Sequence, residues 1–367
     1  MPQKRTSPSL PLFREQIDRI DAQILNLLNR RANLAMRIGQ VKSRDQAVVY
    51  VPSRERQVFA RLTALNKGPL SNEAIHAIYR EIISASRALE EPPHIAYFGP
   101  EGTYTHMAAR EQFGSQAAFV PLATIPQVFA EVEHAQADYG VVPIENSTEG
   151  SVALTLDTFV DSPLHIIAEV ALEIRHCLLS RATKMEQVKK ILAHPQALAQ
   201  CRRWLAAHLP EVPVEEAASN ARAAELAVAN TQVAAIAGKM AAERYKLNVL
   251  AVGIQDQAAN FTRFAVLGRA QPSGQPTQQD KTSILLSVRD EVGALYHALK
   301  PFADHAINLL RIESRPLKGR PWEYLFFIDV EGHILDEPIA HALQEIQPLC
   351  SFVKVLGSYA SANHTLR

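Results

Sequence analysis

The stretch from Ala137 to Ser151, ADYGVVPIENSTEGS, constrains the fold of this chain more than any other. Its apolar run from Tyr139 to Ile144 predicts a buried strand, and the polar residues that follow supply N-cap chemistry for a helix from Val152 onwards. A strand ending in such a turn directs backbone N–H groups and the positive end of a helix beyond the sheet, where a carboxylate or phosphate can bind. The alternative is a well-capped helix of an α/β fold with no ligand.

Length and composition favour a multidomain protein without a strongly charged partner. The chain has 367 residues, too many for one ordinary core, so we expect two or three domains. Lys plus Arg and Asp plus Glu balance at 38 each, which argues against nucleic acid or an anionic membrane as a partner. There is no apolar run of about 18 residues and no signal peptide, so we expect a cytoplasmic location. Cys177, Cys201 and Cys350 lack paired spacing, so we expect them to be small core residues.

Residues 1–92 predict an all-helical module. Apolar residues recur at a three-four spacing from Leu12 to Val41 without a proline, which predicts one helix of about 30 residues. Pro52 begins a second helix, and Ser71 begins the cap of a third that runs to Glu90. Because so long a helix must bury its apolar stripe and has only two short companions, we expect the module to dimerise.

The long helix carries three cations whose geometry indicates an anion site. Arg31 and Lys42 are separated by about three turns, so they share one face of the helix. Arg14 lies about 25 Å from Arg31 along the axis, and it would reach the same ligand only from an antiparallel partner chain. The alternative is that all three are ordinary solvated cations.

This module resembles the helical chorismate mutases, which are intertwined dimers. The resemblance rests on Arg14, Ile17, Asp21, Arg31, Gly39, Lys42, Arg54, Glu55, Ser86 and Glu90. It implies that chorismate is bound by Arg14 of the partner chain and by Arg31, Lys42, Arg54, Glu55, Ser86 and Glu90, with Lys42 and Glu90 as catalytic residues. Such a rearrangement needs no nucleophile, because holding the reactive conformer and stabilising charge on the breaking C–O bond accelerate it.

Two positions depart from the mutase pattern. Val51 stands where many members have an acidic residue, so one substrate contact is missing or replaced. Glu90 stands where some members have Gln, and a carboxylate cannot donate a hydrogen bond to the ether oxygen. We therefore expect Glu90 to act in its protonated form, which requires a pocket that raises its pKa.

Residues 93–272 repeat the pattern of a strand that ends in a polar turn before a helix. The pattern recurs at residues 94–113 and 191–201, and a Ser-Asn pair at 219–220 caps another helix. Junctions 99–106 and 143–151 would face one ligand if their strands are parallel neighbours, because open sheets bind ligands at the carboxyl ends of strands. His194 is typical of a capping or structural histidine more than of a general base.

This segment resembles the prephenate dehydratases, whose fold is a pair of α/β lobes, like those of type II periplasmic binding proteins, around a cleft. The motifs are GPEGTY at 99–104, VPIENSTEG at 142–150, HPQ at 194–196 and TRF at 262–264; Asn220 departs, where Thr is common. The resemblance implies the catalytic residues Thr262, Arg263 and Phe264, and substrate contacts from Thr103, Glu145, Asn146, Ser147, Thr148, Gln196 and Ser219. In that family Thr262 would protonate the leaving hydroxyl of prephenate, and Arg263 and the turns would hold carboxylates.

A linker at 271–279 precedes a third module at 278–367. Its strands and helices follow the order βαββαβ, which predicts a ferredoxin-like α+β sandwich. The order of elements alone would indicate only a structural or dimerising domain. Gly293, Ala294, Leu295, Glu313, Ser314, Arg315 and Pro316 make it resemble the phenylalanine-binding ACT domains. The resemblance implies that phenylalanine binds between two such domains in a dimer, with Asn308 nearby, although Val292 and Leu310 depart from the pattern.

The three resemblances together are those of the bifunctional P-protein family, chorismate mutase–prephenate dehydratase. They imply conversion of chorismate to prephenate and then to phenylpyruvate, inhibition by L-phenylalanine, no cofactor or metal, and a homodimer or dimer of dimers. Two alternatives stay open. One is a non-catalytic sensor of an aromatic acid, against which the TRF motif and the helical cations argue. The other is a dehydratase whose mutase module is an inactive remnant, as the departure at Val51 would allow.

Overall fold

A computed structural model describes residues 10–44, 52–89, 92–257, 259–270, 276–277, 279–317 and 323–362 of the chain. These residues form two compact units. The first contains helices from the N-terminal part of the chain, and the second contains three β-sheets with their helices. Within the described ranges, no helix combines the length and the apolar character needed to cross a membrane.

The first unit is helical, as the apolar spacing predicts. Its helices are α1 (Leu10–Arg44), α2 (Pro52–Leu65, whose first turns group with the second unit) and α3 (Asn72–Ala88). Ser71 caps α3 as predicted, because its side chain accepts a hydrogen bond from the backbone N–H of Ala74 at 3.2 Å. Helix α1 has 35 residues, which corresponds to about 52 Å. Its apolar residues stay about half exposed in the single chain, from Ile17 and Ile24 to Leu34 and Ile38.

Residues 94–268 contain eleven strands and seven helices in two lobes. The strands are β1 (His94–Phe98), β2 (Ala118–Leu122), β3 (Tyr139–Asn146), β4 (Gly150–Ser151), β5 (His165–Glu173), β6 (Cys177–Ser180), β7 (Lys190–Ala193), β8 (Val214–Glu216), β9 (Val233–Ala237), β10 (Asn248–Val252) and β11 (Phe261–Gly268). The helices are α4 (Tyr104–Phe113), α5 (Ile125–Glu133), α6 (Ala153–Asp161), α7 (Pro195–Gln200), α8 (Arg202–His208), α9 (Asn220–Ala227) and α10 (Lys239–Tyr245).

Each lobe is built on its own sheet. The first lobe has the strand order β2-β1-β3-β11-β5, with β4 paired to β3, and the second has the order β10-β6-β9-β7-β8. The chain passes between the sheets twice, from β5 to β6 and from β10 to β11. Strands β1 and β3 are parallel neighbours, as the sequence-based argument required, so the turns that follow them leave the same edge of the sheet. Cys177 and Cys201 are buried in the second lobe, and Cys350 is only partly buried.

The polar turn after β3 does not cap a helix, so that part of the prediction is wrong. Helix α6 has Val152 as its N-cap, without a side-chain capping bond. The Oδ1 atom of Asn146 instead accepts hydrogen bonds from the backbone N–H groups of Thr148 and Glu149, at 3.0 and 3.2 Å. This closes a tight turn between β3 and β4. The side chain of Asn146 thus bonds to backbone N–H groups of its own turn. An asparagine that caps a helix makes the same kind of bond, so the sequence pattern alone does not distinguish the two structures.

The described residues from Asp280 onwards form the predicted ferredoxin-like sandwich. Its elements are β12 (Asp280–Val288), α11 (Ala294–Asp304), β13 (Leu309–Pro316), β14 (Tyr324–Glu331), α12 (Glu337–Ile346) and β15 (Cys350–Ala360). The antiparallel sheet has the order β13-β14-β12-β15. One face packs on α11 and α12, and the other shares a hydrophobic core with the first lobe. At Gly357 the two backbones approach so closely that a Cβ would lie 2.1 Å from the carbonyl oxygen of Ile166.

Candidate functional site

Thr262 and Asn146 face each other across two neighbouring strands. The antiparallel pairing of β11 with β3 places these residues opposite one another, and Asn146 Nδ2 donates to Thr262 Oγ1 at 2.8 Å. The same nitrogen donates to the side chain of Asn260 at 2.9 Å. Because a hydroxyl oxygen that accepts a bond keeps its own hydrogen, the Thr262 O–H is left to donate elsewhere. The arrangement therefore orients the hydroxyl as a donor.

The hydrogen bonds continue from Asn260 into the connections between the lobes. Asn260 Nδ2 donates to Gln200 Oε1 at 3.0 Å, and the same oxygen lies 2.9 Å from Nε2 of His176. On the other side of the ring, His176 Nδ1 lies 3.3 Å from the hydroxyl of Tyr104. His176 is 3% exposed, and its burial lowers its pKa, so the ring is neutral at physiological pH. We call the side chains of Tyr104, His176, Gln200, Asn260, Asn146 and Thr262 the amide network.

A cavity of about 410 Å³ lies between the lobes beside this network. Its lining contains two cationic side chains, several amides and two carboxylates: Thr148, Glu149, Ala199, Gln200, Arg202, Arg203, Gln255, Asp256, Gln257 and Asn260. Cavities that bind small molecules have this size and combine a few convergent polar groups with apolar walls. Gln200 and Asn260 belong to both the cavity wall and the amide network, so a ligand here would contact the network directly.

Arg263 has a different position from the one expected of a substrate contact. Consecutive strand residues point to opposite faces, so its side chain leaves the face that carries Thr262. Its guanidinium bonds to Glu145 at 2.6 Å, to Asp329 of β14 at 2.9 Å, and to Glu169. Burial opposes its charge, but Glu169 and Asp329 outweigh that effect and raise its pKa. All the nitrogen atoms of the guanidinium thus bond to carboxylates of the protein.

These residues are part of a balanced group of six charges between the first lobe and the C-terminal sheet, which we call the charge cluster. Its cations are Arg263, Lys281 and Arg311, and its anions are Glu145, Glu169 and Asp329. Lys281, which is 1% exposed, lies 2.5 Å from Glu169 and 3.4 Å from Asp329. Burial alone would raise the pKa of Asp329, but Lys281 and Arg263 hold it well below its usual range. Asp329 therefore stays ionised in the folded protein at neutral pH.

Several of the predicted dehydratase residues stabilise turns with their side chains. Ser147 Oγ accepts from the backbone N–H of Phe261 at 2.9 Å, and Thr103 Oγ1 donates to the carbonyl oxygen of Pro100 at 2.9 Å. Ser219 caps α9, and His194 caps α7 by accepting from the N–H of Gln196, as the sequence indicates for both. Phe264 is 1% exposed and therefore lies in the interior.

In the helical unit, Arg31 and Ser86 are brought together. The guanidinium of Arg31 donates to Ser86 Oγ at 2.9 Å, and Ser86 is 7% exposed. Arg14 and Arg54 are exposed, and Arg54 bonds to Gln57 within α2. Glu55 is half-buried on the same helix as Arg54. The side chain of Lys42, and Glu90 and Val51 as a whole, fall outside the described residues.

The predicted effector residues lie at the start of α11 and along β13. Gly293 is the N-cap of α11 in a left-handed conformation, followed by Ala294 and Leu295. Asn308 donates to Glu331 at 3.4 Å. Glu313, Ser314, Arg315 and Pro316 form the end of β13, and Arg315 bonds to Asp157 of α6 at 3.0 Å. One effector candidate thus contacts the first lobe.

The residues that the motif-based prediction missed are those held by long-range contacts. Gln200 lies six residues after the HPQ motif begins, and its position at the end of α7 was the available signal. His176 and Asn260 lie in the two connections between the lobes, and no spacing in the sequence relates them. Lys281 and Asp329 come from neighbouring strands of the C-terminal sheet, where charged residues would ordinarily be expected on an exposed face.

Family models match most of the chain in three consecutive segments. The chorismate mutase type II model matches residues 13–91, the prephenate dehydratase model matches 95–272, and the ACT domain model matches 282–347. A bifunctional chorismate mutase/prephenate dehydratase of Aquifex aeolicus (strain VF5) is 50% identical over 354 residues, covering 95% of this chain and 97% of the relative. The chain belongs to the bifunctional chorismate mutase/prephenate dehydratase family. The chorismate mutase, prephenate dehydratase and ACT domains below are named accordingly.

Solved structures match the dehydratase and ACT domains. A prephenate dehydratase from Arthrobacter aurescens in complex with L-Phe is 35% identical, with a TM-score of 0.69, and the match covers 74% of this chain and 90% of that one. A protein described as a novel type of quorum quenching acylase, GqqA, is 30% identical, with a TM-score of 0.68. The match covers 74% of this chain and 99% of that one. Proteins with different described activities therefore share this fold, so an activity has to be inferred from the residues of the site and not from the fold.

Proposed function

We propose that this chain converts chorismate to prephenate in its mutase domain and prephenate to phenylpyruvate in its dehydratase domain, and that L-phenylalanine inhibits it through the ACT domain. We assign residues 1–92, 93–272 and 278–367 to these domains. Family membership over nearly the whole chain supports both activities. The observation that carries the dehydratase assignment is the hydrogen bond from Asn146 to Thr262, which leaves the threonine hydroxyl as a donor.

In the dehydratase reaction the bond to the carboxyl group of the prephenate ring breaks, and its electrons form the last double bond of the aromatic ring as the ring hydroxyl leaves. Thr262 donates its proton to that hydroxyl, which departs as water together with carbon dioxide, and Thr262 regains a proton from solvent. A threonine is a weak acid. The bond from Asn146 favours the proton transfer because it stabilises the negative charge that develops on Thr262 Oγ1.

We place prephenate in the cavity between the lobes. Arg202 lines it and supplies positive charge for a carboxylate of the substrate, whereas Arg203 of the same lining lies 3.8 Å from the carboxylate of Asp256. The turn residues of the family motifs are candidates for further contacts: Thr103, Glu145, Asn146, Ser147, Thr148, Gln196 and Ser219. Since Arg263 is held by three carboxylates, we assign it the role of orienting Glu145 and strand β11 in place of binding substrate.

In the mutase domain, Arg31 and Ser86 form one wall of the chorismate site. We propose that Lys42, Arg54, Glu55 and Glu90 complete it and that Arg14 enters from a second chain. The half-exposed apolar residues of α1 support a dimer, because a helix with so much exposed apolar surface is stabilised by a partner. A soluble dimer that uses two metabolites of aromatic amino acid biosynthesis is expected in the cytoplasm.

For the effector, support comes from the ACT domain match and from the Arthrobacter aurescens dehydratase, whose structure contains L-Phe. Gly293, Ala294, Leu295, Asn308 and the segment 313–316 are the proposed contacts. Arg315 joins this segment to Asp157 of the dehydratase domain, so a ligand that moved β13 would alter a contact between the two domains.

The decisive experiment follows the products formed from chorismate, with and without L-phenylalanine, in the wild type and in Thr262→Ala. The wild type should form phenylpyruvate, and L-phenylalanine should suppress it. Thr262→Ala should accumulate prephenate, with dehydratase kcat reduced at least about 100-fold and mutase activity unchanged. Thr262→Ser, which keeps the hydroxyl, is the matched control and should retain substantial activity.

Each other outcome selects an alternative. Unchanged chorismate, with added prephenate still converted, would mean that the mutase domain is a remnant. Binding of prephenate without any turnover would indicate a sensor. Full dehydratase activity in Thr262→Ala would refute the role given to the threonine hydroxyl.

A further inference from the structure

His176 occupies the place where the two connections between the lobes meet. It lies between β5 and β6, and its backbone carbonyl accepts hydrogen bonds from Gly253 and Ile254, which follow β10. Its backbone N–H donates to the side chain of Gln255 at 3.0 Å. The residue is 3% exposed and belongs to none of the four motifs at 99–104, 142–150, 194–196 and 262–264. The backbone of His176 in the first connection is therefore bonded to the second connection.

The contact with Gln200 determines which nitrogen of the His176 ring carries the hydrogen. Gln200 Oε1 can only accept, so His176 Nε2 must carry the hydrogen and donate to it. In a neutral ring, Nδ1 then has a lone pair and faces the hydroxyl of Tyr104. The one hydrogen of that hydroxyl can point to Nδ1 or to the carbonyl oxygen of Arg175, which lies 2.9 Å away, so the hydroxyl lies between two acceptors.

The orientations of the amides along the network are consistent with a donor at His176, and His176 and Glu149 hold opposite ends of the Gln200 amide. Gln200 Oε1 is held toward His176, so its Nε2 points to Glu149 and donates at 3.0 Å. The same oxygen accepts from Asn260 Nδ2, which turns Asn260 Oδ1 toward Asn146. Asn146 presents its Nδ2 group both to Asn260 and to Thr262 Oγ1, an orientation that the backbone N–H groups of Thr148 and Glu149 also favour because they bond to its Oδ1. If Asn146 were reversed, its oxygen would accept the Thr262 hydrogen and remove the free donor.

We propose that His176 is a positioning residue for the dehydratase reaction, which holds Gln200 and Asn260 in place so that Asn146 stays bonded to Thr262 and the Thr262 hydroxyl donates toward the substrate. This inference rests on the proposed dehydratase function. His176 contacts no reacting atom. It acts through Gln200, Asn260 and Asn146, over four successive hydrogen bonds.

The test compares His176→Leu with His176→Gln in the full-length enzyme. The amide nitrogen of Gln occupies about the position of the histidine Nε2 and can donate to Gln200, whereas Leu fills the space without a donor. His176→Leu should lower dehydratase kcat by about 10- to 100-fold with a small change in KM, because a misplaced catalytic group costs rate more than binding. His176→Gln should recover most of that loss. His333→Leu, which removes a similarly buried histidine in the ACT domain, is the control and should leave kcat unchanged without effector.

A double variant separates positioning from general destabilisation. If His176 acts through Gln200, the double variant His176→Leu/Gln200→Met should lose no more kcat than Gln200→Met alone. Multiplicative losses would overturn the proposal, as would equal kcat in His176→Leu and the wild type, or equal losses in the Leu and Gln variants. Mutase activity measured in the same samples reports whether the chain is intact. Absence of dehydratase activity in the wild type would refute the proposed function itself, which is a separate result.

Discussion

The carboxylate of Asp329 offers a quantitative test of the charge cluster. Asp329 is 5% exposed and accepts hydrogen bonds from Arg263, Lys281 and Ser283. Asp329→Asn leaves three cations against two carboxylates. The amide oxygen keeps part of the hydrogen bonding, but breaking a buried pair and leaving one charge uncompensated costs about 3–5 kcal/mol. For a unit of this size, that corresponds to a fall in Tm on the order of 10 °C.

Calorimetry of the full-length variants at pH 7 measures the effect. Asp304→Asn is the matched control, because its pair with Lys300 is half exposed and solvent screening leaves it with little effect on stability. The double variant Lys281→Met/Asp329→Asn restores a balance of two cations and two carboxylates, so it should recover at least half of the lost stability. A Tm of Asp329→Asn within about 1 °C of wild type, or a double variant less stable than both single variants, would refute the reasoning.

The direction in which pH changes the stability contribution of Asp329 follows from the direction of its pKa shift. The pKa of Asp329 is lowered in the folded state, so its contribution is fully present above the unfolded pKa of about 3.9 and is lost as pH falls toward the folded value. The stability difference between wild type and Asp329→Asn should therefore stay constant from pH 7 to about pH 5. It should narrow below about pH 4, and a difference that narrowed near pH 6 would point to another group.

Two further substitutions test the packing of the ACT domain and the mutase site. Gly357→Ala should destabilise the protein by about 1–3 kcal/mol or more, since the added Cβ would lie 2.1 Å from the carbonyl oxygen of Ile166 and the backbones must separate. Gly150→Ala is the control, because its Cβ would meet nothing within 4 Å and any loss there comes from its positive φ of 80° and not from a clash. Calorimetry measures the stability of both variants. Ser86→Ala should lower mutase kcat/KM about tenfold, because Arg31 loses its hydrogen-bond partner, while dehydratase activity is unchanged in the same assay.

Features specified by local sequence were predicted well. The apolar spacing of α1 and the caps at Ser71, Ser219 and His194 depend on residues within a few positions of one another, and all were found as expected. The order of elements in the ACT domain also followed from local patterns, because strand alternation and helix periodicity are short-range signals.

Features that depend on distant partners were not predictable in the same way. The polar turn that begins at Asn146 was expected to cap a helix, but the Asn146 oxygen bonds to its own turn while its nitrogen bonds to Thr262, more than a hundred residues away. Arg263 was expected to bind a substrate carboxylate, and the structure gives it three carboxylates of the protein. A sequence motif identifies the residue type that a position requires, but not which of several acidic partners neutralises it.

The geometry of β11 connects the contact of Thr262 with Asn146 to the contacts of Arg263 with the charge cluster. Because successive residues of a strand point to opposite faces, β11 presents Thr262 to the amide network and Arg263 to Asp329 of the ACT domain. A displacement of β14 would therefore move the strand that carries the proposed proton donor, through a bond only one residue away. If this ion pair transmits inhibition, Asp329→Asn should weaken the inhibition of the dehydratase by L-phenylalanine while L-phenylalanine still binds, as measured by calorimetric titration. Unchanged inhibition in that variant would assign the coupling to another contact, such as Arg315 with Asp157, and leave the cluster with a role in stability alone.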